Sequence, residues 1–261
     1  MAQRYPQMQP QEQQPAQVRV CTQPARKKKG RISLFIMIAC IVVMLVCGGI
    51  IAKILFDYHE VDVAYEELRE KSGRDIAALQ ALNPDTVGWI YVADTNIDYP
   101  VMFTPDDPEY YLHRNFERER SSAGTPFVGE GCVVPGGNST IIYGHHMRNG
   151  SMFATLLNFE DADFFNTHEI VFTTTQGEGT YKPIAAFHTD LSGGDGYYRY
   201  WDHVGNLSEQ EYKDFVDTVV GQSMFSPTVE AVYGHELLTL STCSYGTSEE
   251  RFAVVAVRVD E

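Results

Sequence analysis

The chain has 261 residues and a formal net charge of −15, long enough for one domain of ordinary size plus extensions. The charge is uneven: residues 1–56 hold 8 Lys/Arg and 1 Asp/Glu, and the rest hold 12 basic and 34 acidic residues. So acidic a main domain argues against nucleic acid as its partner, because phosphate contacts need a basic surface. The acidity is read as a means of solubility. The five cysteines have no regular spacing and an odd total, so they do not form a disulfide framework. A Cys132–Cys243 bridge is the pairing left open if the domain is extracellular. No CxxC or HExxH occurs, which leaves zinc little support.

Residues 1–25 are rich in Gln and Pro and poor in large apolar groups. Such a segment cannot bury enough surface to offset ordering, so disorder is expected. Arg26-Lys-Lys-Lys-Gly-Arg31 then abuts Ile32–Ile51, twenty residues without a charge. As a helix this run rises about 30 Å, the thickness of a bilayer core. A basic cluster beside a span stays cytoplasmic, which puts the bulk of the chain outside. A cleaved signal peptide is the competing reading, but the run is long for its apolar region. The expected organisation is a basic cytoplasmic tail (1–31), a transmembrane signal-anchor helix (32–52), a helical stalk (53–82) and a β-rich domain (83–261).

Val61, Tyr65 and Leu68 fall at helical spacing, with acidic residues on the other faces. Gly73 interrupts, and Ile76, Leu79 and Leu82 continue a second helix until Asn83-Pro84 stops it. Strands are expected at 88–93 and 97–102, joined by the turn cluster Asp94-Thr-Asn. Pro100 assigns the second to an edge or a bulge. A helical turn at 110–115 and strands or loops at 124–128 and 138–143 follow. A short helix is expected at 150–160, and strands at 169–175 and 181–189. Ser208 with Glu211 forms a capping box for a helix to Val220, with Phe215, Val216, Val219 and Val220 as its apolar face. Many short strands with one late inserted helix indicate a mixed β-barrel.

Near the C-terminus, Leu237-Leu-Thr-Leu-Ser-Thr-Cys243 and Arg251-Phe-Ala-Val-Val-Ala-Val257 both read as strands, separated by the polar loop Ser244–Glu250. Paired as a hairpin, they bring Cys243 and Arg251 to one sheet end. Upstream, Tyr143-Gly-His-His-Met147 places histidines at another strand end, where Gly144 permits a sharp turn. A thiol nucleophile needs a proton carrier and a cation or donors for the oxyanion, and His, Cys and Arg at strand ends supply that set.

Thr239-Leu-Ser-Thr-Cys243 with Arg251 downstream and Tyr143-Gly-His-His-Met147 upstream resembles the signature of sortases. Asn83-Pro-Asp-Thr-Val-Gly-Trp-Ile90 and Thr95-Asn-Ile-Asp-Tyr-Pro-Val101 resemble the early strands of class B sortases, and the helix at 208–220 is similar to one these enzymes insert between late strands. The resemblance spans roughly residues 60–259. It implies a sortase-like mixed β-barrel with N-terminal helices and a membrane anchor. Cys243 is then the nucleophile, His145 the acid/base and Arg251 the oxyanion and substrate-positioning group. Tyr143, Ser241 and Thr242 match positions lining the peptide groove. His145 rather than His146 follows the motif glycine. The implied reaction is cleavage of an Asn-Pro-x-Thr-x-like sorting signal after Thr, with transfer to an amine of cell-wall peptide or a pilin Lys, and without metal or cofactor.

Three other readings stand beside this one. The first is a non-enzymatic, membrane-tethered β-domain binding a cell-surface ligand, with Cys243 as a small buried hydrophobe. The second is a zinc hydrolase using His145, His146 and Cys243. The third is a cysteine hydrolase that releases peptides without transfer.

Overall fold

The computed structural model describes residues 31–191, 197–243 and 250–259, and of residues 31–33, 57, 58 and 243 the backbone alone. The expected disordered tail and most of the basic cluster lie outside the described residues. So does the loop 244–249. In chain order the elements are α1 (Arg31–Ser72), α2 (Ile76–Leu82), β1 (Thr86–Val92), β2 (Asp98–Met102), β3 (Phe127–Val128), β4 (Ser139–Tyr143), α3 (Ala162–Thr167), β5 (Ile170–Thr174), β6 (Gly177–Asp190), α4 (Glu209–Gln222), β7 (Leu237–Cys243) and β8 (Glu250–Arg258). Short 3-10 helices cover Tyr110–His113, Ala154–Glu160 and Tyr200–Asp202.

The chain divides into two compact units after Lys53. The first contains the start of α1, whose apolar side chains, such as Phe35 and Leu45, are exposed. Among the described residues, α1 is the helix long and apolar enough to cross a membrane. Helix α1 runs from Arg31 to Ser72, over the residues expected as the span and the first part of the stalk. No proline interrupts it. Gly73, at φ +57°, ends it.

In the second unit the last turns of α1 and all of α2 cover the barrel. Tyr65, Leu68, Ile76 and Leu79 are buried there. Asp75 caps α2 by accepting from the amides of Ala77 and Ala78. Asp98 at the start of β2 ties this cover down: it accepts from Trp89 Nε1 at 2.6 Å and pairs with Arg74 at 2.6 Å.

The eight strands close into a barrel in the order β1-β2-β3-β4-β7-β8-β6-β5. Two neighbour pairs, β2–β3 and β4–β7, are parallel and the others antiparallel, so the barrel is mixed as expected. Phe252 to Val257 of β8 are buried without interruption, as a central strand covered on both faces requires. Pro100 pairs with Trp89 on one side, while β2 meets β3 only at Met102, so its missing N–H leaves no ladder bond unmade.

Two elements differ from expectation. β6 starts at Gly177 rather than near 181, because the polar residues 177–180 pair with β5 in a tight hairpin that hydrophobic patterning does not reveal. The six-residue α3 was not foreseen; Asp161 caps it and Phe165 anchors it. The Cys132–Cys243 disulfide left open by the sequence is not formed. Cys132 is a free, buried thiol whose Sγ accepts from the Ile141 amide at 3.4 Å, and burial pushes its pKa up to about 11.

Helix α4 lies in the long connection from β6 to β7 and packs on β6 through Tyr212, Phe215 and Val219. Its capping box is present: Ser208 Oγ accepts from the Glu211 amide, and the Glu211 carboxylate accepts from the Ser208 amide. Ser208→Ala is expected to lower folding stability by about 1 kcal/mol, read by chemical denaturation, without altering turnover.

Candidate active site

The site is built at one end of the barrel, where β4, β7, β8 and β6 finish or begin together. In the parallel pair β4–β7, Tyr143 lies opposite Ser241. The Gly144 amide donates to Ser241 O at 3.1 Å and carries the ladder one residue further. His145, past the end of β4, and Cys243, the last residue of β7, are each two residues beyond this matched pair. In the antiparallel pair β7–β8, Cys243 lies opposite Arg251, and Arg251 lies opposite Thr189 of β6 on its other side. The hairpin expected to bring Cys243 and Arg251 to one sheet end is therefore the observed one, and its register sets them opposite each other. The Cys243 side chain is outside the described part.

After Gly144 the chain leaves the sheet. A Cβ at this position would overlap the ring of buried Phe153, so only glycine lets the two segments approach. The segment folds back on itself: the Phe153 amide donates to His145 O at 2.9 Å, and His146 bridges Met152.

The half-buried His145 ring is held by groups that the sequence did not disclose. Its Nε2 lies 2.7 Å from Leu112 O. A carbonyl only accepts, so Nε2 carries the hydrogen and Nδ1 keeps the lone pair. The His113 ring stacks on it at 5.6 Å between centroids and 18° between planes. Burial lowers the pKa of His145, and His113 and Arg251 push in the same direction, while the Leu112 hydrogen bond opposes them. The imidazole is thus neutral at pH 7, with its free nitrogen at Nδ1.

Leu112 and His113 belong to the 3-10 turn Tyr110–His113, and a buried amide fixes that turn. Asn83 Nδ2 donates to Tyr111 OH at 2.8 Å and to Phe116 O at 2.6 Å. Tyr111 OH donates to Asp85 Oδ2 at 2.7 Å, and Arg118 reaches both Asn83 Oδ1 and Asp85. Asn83 and Asp85, read from the sequence as a helix stop and part of the class B resemblance, turn out to brace the partner of the histidine.

A cavity of about 780 Å³ opens over this end of the barrel. Tyr143, His145, Ser241, Thr242 and Arg251 all line it, together with Leu112, Tyr200 and Trp201. Arg251 is half-buried, and its Nη1 donates to Glu250 O at 3.2 Å. Ser241 Oγ shares a 2.6 Å hydrogen bond with Tyr200 OH in the wall. Thr242 Oγ1 is buried and has no partner among the described residues. Burial and the neighbouring Tyr200 drive the Tyr143 phenol far above its usual range, so it stays protonated. Tyr200 and Trp201 were missed; the aromatic run Tyr197-Tyr-Arg-Tyr-Trp201 ahead of α4 was the available signal.

No protein-family model matches the chain. It is 32% identical over 195 residues to sortase B of Listeria monocytogenes, across 74% of this chain and 77% of that protein. The chain belongs to the class B sortases. Solved structures agree: sortase B of Bacillus anthracis in complex with AAEK1 superposes with a TM-score of 0.69 at 28% identity, over 79% of this chain and 100% of that one. The Staphylococcus aureus sortase B–substrate complex gives a TM-score of 0.69 at 26% identity, over 78% and 99%. The chain is accordingly a sortase-type cysteine transpeptidase, which decides against the non-enzymatic and zinc-hydrolase readings.

Gly144→Ala is expected to destabilise the fold by about 1–3 kcal/mol through the collision with Phe153, and to depress turnover of the protein that remains folded by displacing His145. Denaturation curves and rates normalised to folded protein measure the two effects separately.

Proposed function

We propose that this transpeptidase is held in the membrane by residues 32–52, with tail 1–31 inside and stalk 53–82 leading out to a catalytic barrel at 83–261. It cleaves a C-terminal sorting signal of the Asn-Pro-x-Thr-x kind after Thr and transfers the acyl group to an amine of cell-wall peptide or a pilin Lys. The observation that carries this reading is the strand register, with Cys243 opposite Arg251 and His145 two residues past the matching point on β4. A cavity of about 780 Å³ over that end has room for several residues of an extended peptide. The relative from Staphylococcus aureus was solved as a substrate complex, which supports substrate binding by this fold here too. The basic cluster directly before an uncharged run supports the membrane orientation.

The chemistry follows from the groups present. The thiol of Cys243 gives its proton to Nδ1 of neutral His145, and the sulfur attacks the Thr carbonyl carbon. Negative charge moves to the carbonyl oxygen, where the permanently cationic Arg251 stabilises it. The C–N bond then breaks as His145 returns its proton to the leaving amine, which leaves a thioester on Cys243. A second amine attacks the thioester and loses a proton to His145. The thiolate departs and is reprotonated. The lowered basicity of His145 suits this cycle, because an imidazolium that holds its proton loosely releases it readily to an amine.

Full-length protein in detergent is expected to cleave a quenched Asn-Pro-x-Thr-x peptide after Thr and, with an added amine, to form the transfer product. Cys243→Ala should abolish both, and equal cleavage by wild type and variant sinks the assignment of the nucleophile. Attack requires neutral His145, and its pKa lies below the ordinary 6.5. The acid limb of kcat/KM should therefore have its midpoint below 6.5, and a midpoint above that value removes His145 from the proton-carrying role.

A further inference from the structure

The segment that carries His145 is fastened to the β1–β2 hairpin by groups outside the cavity. Met152 sits at φ +54°, a left-handed conformation that a long side chain rarely adopts, and it is fully buried. Its amide donates to the Tyr99 hydroxyl at 3.0 Å. The next amide, of Phe153, is the one that donates to His145 O. Asn96, in the β1–β2 turn, donates from Nδ2 to Gly150 O at 2.8 Å. Tyr99 is itself immobilised. Its ring meets Tyr65 of α1 edge-on at 5.2 Å, and Tyr65 OH lies 2.8 Å from Thr125 Oγ1.

We propose that Tyr99 is a positioning residue for the transfer reaction, its hydroxyl holding the strained Met152 peptide so that the adjoining segment sets the His145 ring against Leu112 O. The physical argument is one of strain and support. A buried, left-handed methionine costs about 1–2 kcal/mol and persists only where its surroundings over-determine it. The Tyr99 hydroxyl satisfies the one donor that this conformation turns away from the segment's own backbone. Without it the Met152 amide is buried and unpaired, and the segment gains by relaxing toward an ordinary φ. That relaxation passes to His145 through the Phe153–His145 bond. Asn96 acts in the same direction at Gly150, and Tyr65 of α1 braces Tyr99 from behind.

This inference rests on the proposed role of His145 only for its effect on rate. Its ring titration is an independent readout. The groups facing that ring are His113 and Arg251, with Glu109, Glu130, Arg199 and Asp202 on the cavity wall. None of them touches Tyr99 in a described hydrogen bond or ion pair. The experiment uses full-length protein labelled at histidine, with the His145 ring signal assigned by its absence in His145→Gln. Tyr99→Phe removes one oxygen and keeps the packing on Tyr65. Loosening admits water to the ring, so its titration midpoint should rise towards the ordinary 6.5. kcat should fall about five-fold with KM unchanged. Asn96→Ala should move both quantities the same way. Tyr181→Phe is the control. It deletes a comparable phenol bond, to Glu236 at 2.8 Å, at the other end of β6, and should leave both quantities alone. If His145 titrates in Tyr99→Phe as it does in Tyr181→Phe, Tyr99 does not position it and the proposal is overturned. If the midpoint moves and kcat does not, positioning stands and His145 loses its place as proton carrier.

Discussion

The parallel pairing of β4 with β7 is the constraint from which the rest of the site follows. Neither strand is near the other in sequence, and nothing in a hairpin turn dictates their register. Once Tyr143 is opposite Ser241, the C-terminal ends of β4 and β7 lie side by side at the same end of the barrel. The β7–β8 hairpin then adds Arg251 beside Cys243 without further adjustment. Closure of the barrel makes this register stiff. A slip of one residue would exchange the two faces of β7 and β8, and both faces of β8 are packed, since it is buried along six consecutive residues.

Around this frame the chain spends many polar contacts on one imidazole. Asn83 fixes the Tyr110–His113 turn, which presents Leu112 O to Nε2 and the His113 ring to the face of His145. The β1–β2 hairpin holds the other end of the segment through Asn96 and Tyr99. Each partner is supplied by a different part of the chain. The result is one tautomer and one orientation, with Nδ1 left for chemistry. In the proposed reaction, pre-set geometry of this kind removes the reorganisation that a freely rotating histidine would need at every turnover.

The two cysteines of the barrel illustrate how environment separates reactive from inert thiols. Cys132 lies in the wall of the fold, with its thiol pushed up to about 11 by burial against the weaker opposing pull of the Ile141 and Gly129 amides. It is unsuited to nucleophilic work at neutral pH. Cys243, the proposed nucleophile, ends a strand opposite a guanidinium and close in sequence register to a neutral imidazole. The two positions are chemically identical as residues and differ only in what the fold sets beside them.

Several features were legible in the residues alone. The mixed barrel, the capped helix α4 and the β7–β8 hairpin announce themselves through period-two alternation, a Ser–Glu capping pair and β-branched runs, all local signals. The motif around Thr239–Cys243 and the Tyr143–Met147 segment marked the candidate residues and the family, because reactive groups sit at strand ends where patterning is easy to read. Other features were decided only in three dimensions. The start of β6 at Gly177, the continuity of α1 and the free state of Cys132 depend on pairing, helix propagation and packing rather than on any short pattern. The partners of His145 were invisible for the same reason: a backbone carbonyl at Leu112 has no sequence signature, and Asn83 or Tyr99 looks like any polar or aromatic residue until the chain closes. Sequence determined which side chains have the chemistry, because that chemistry belongs to the residue. Tertiary structure decided which nitrogen is free and how basic it is, because hydrogen-bond partners and burial come from segments far apart in the chain.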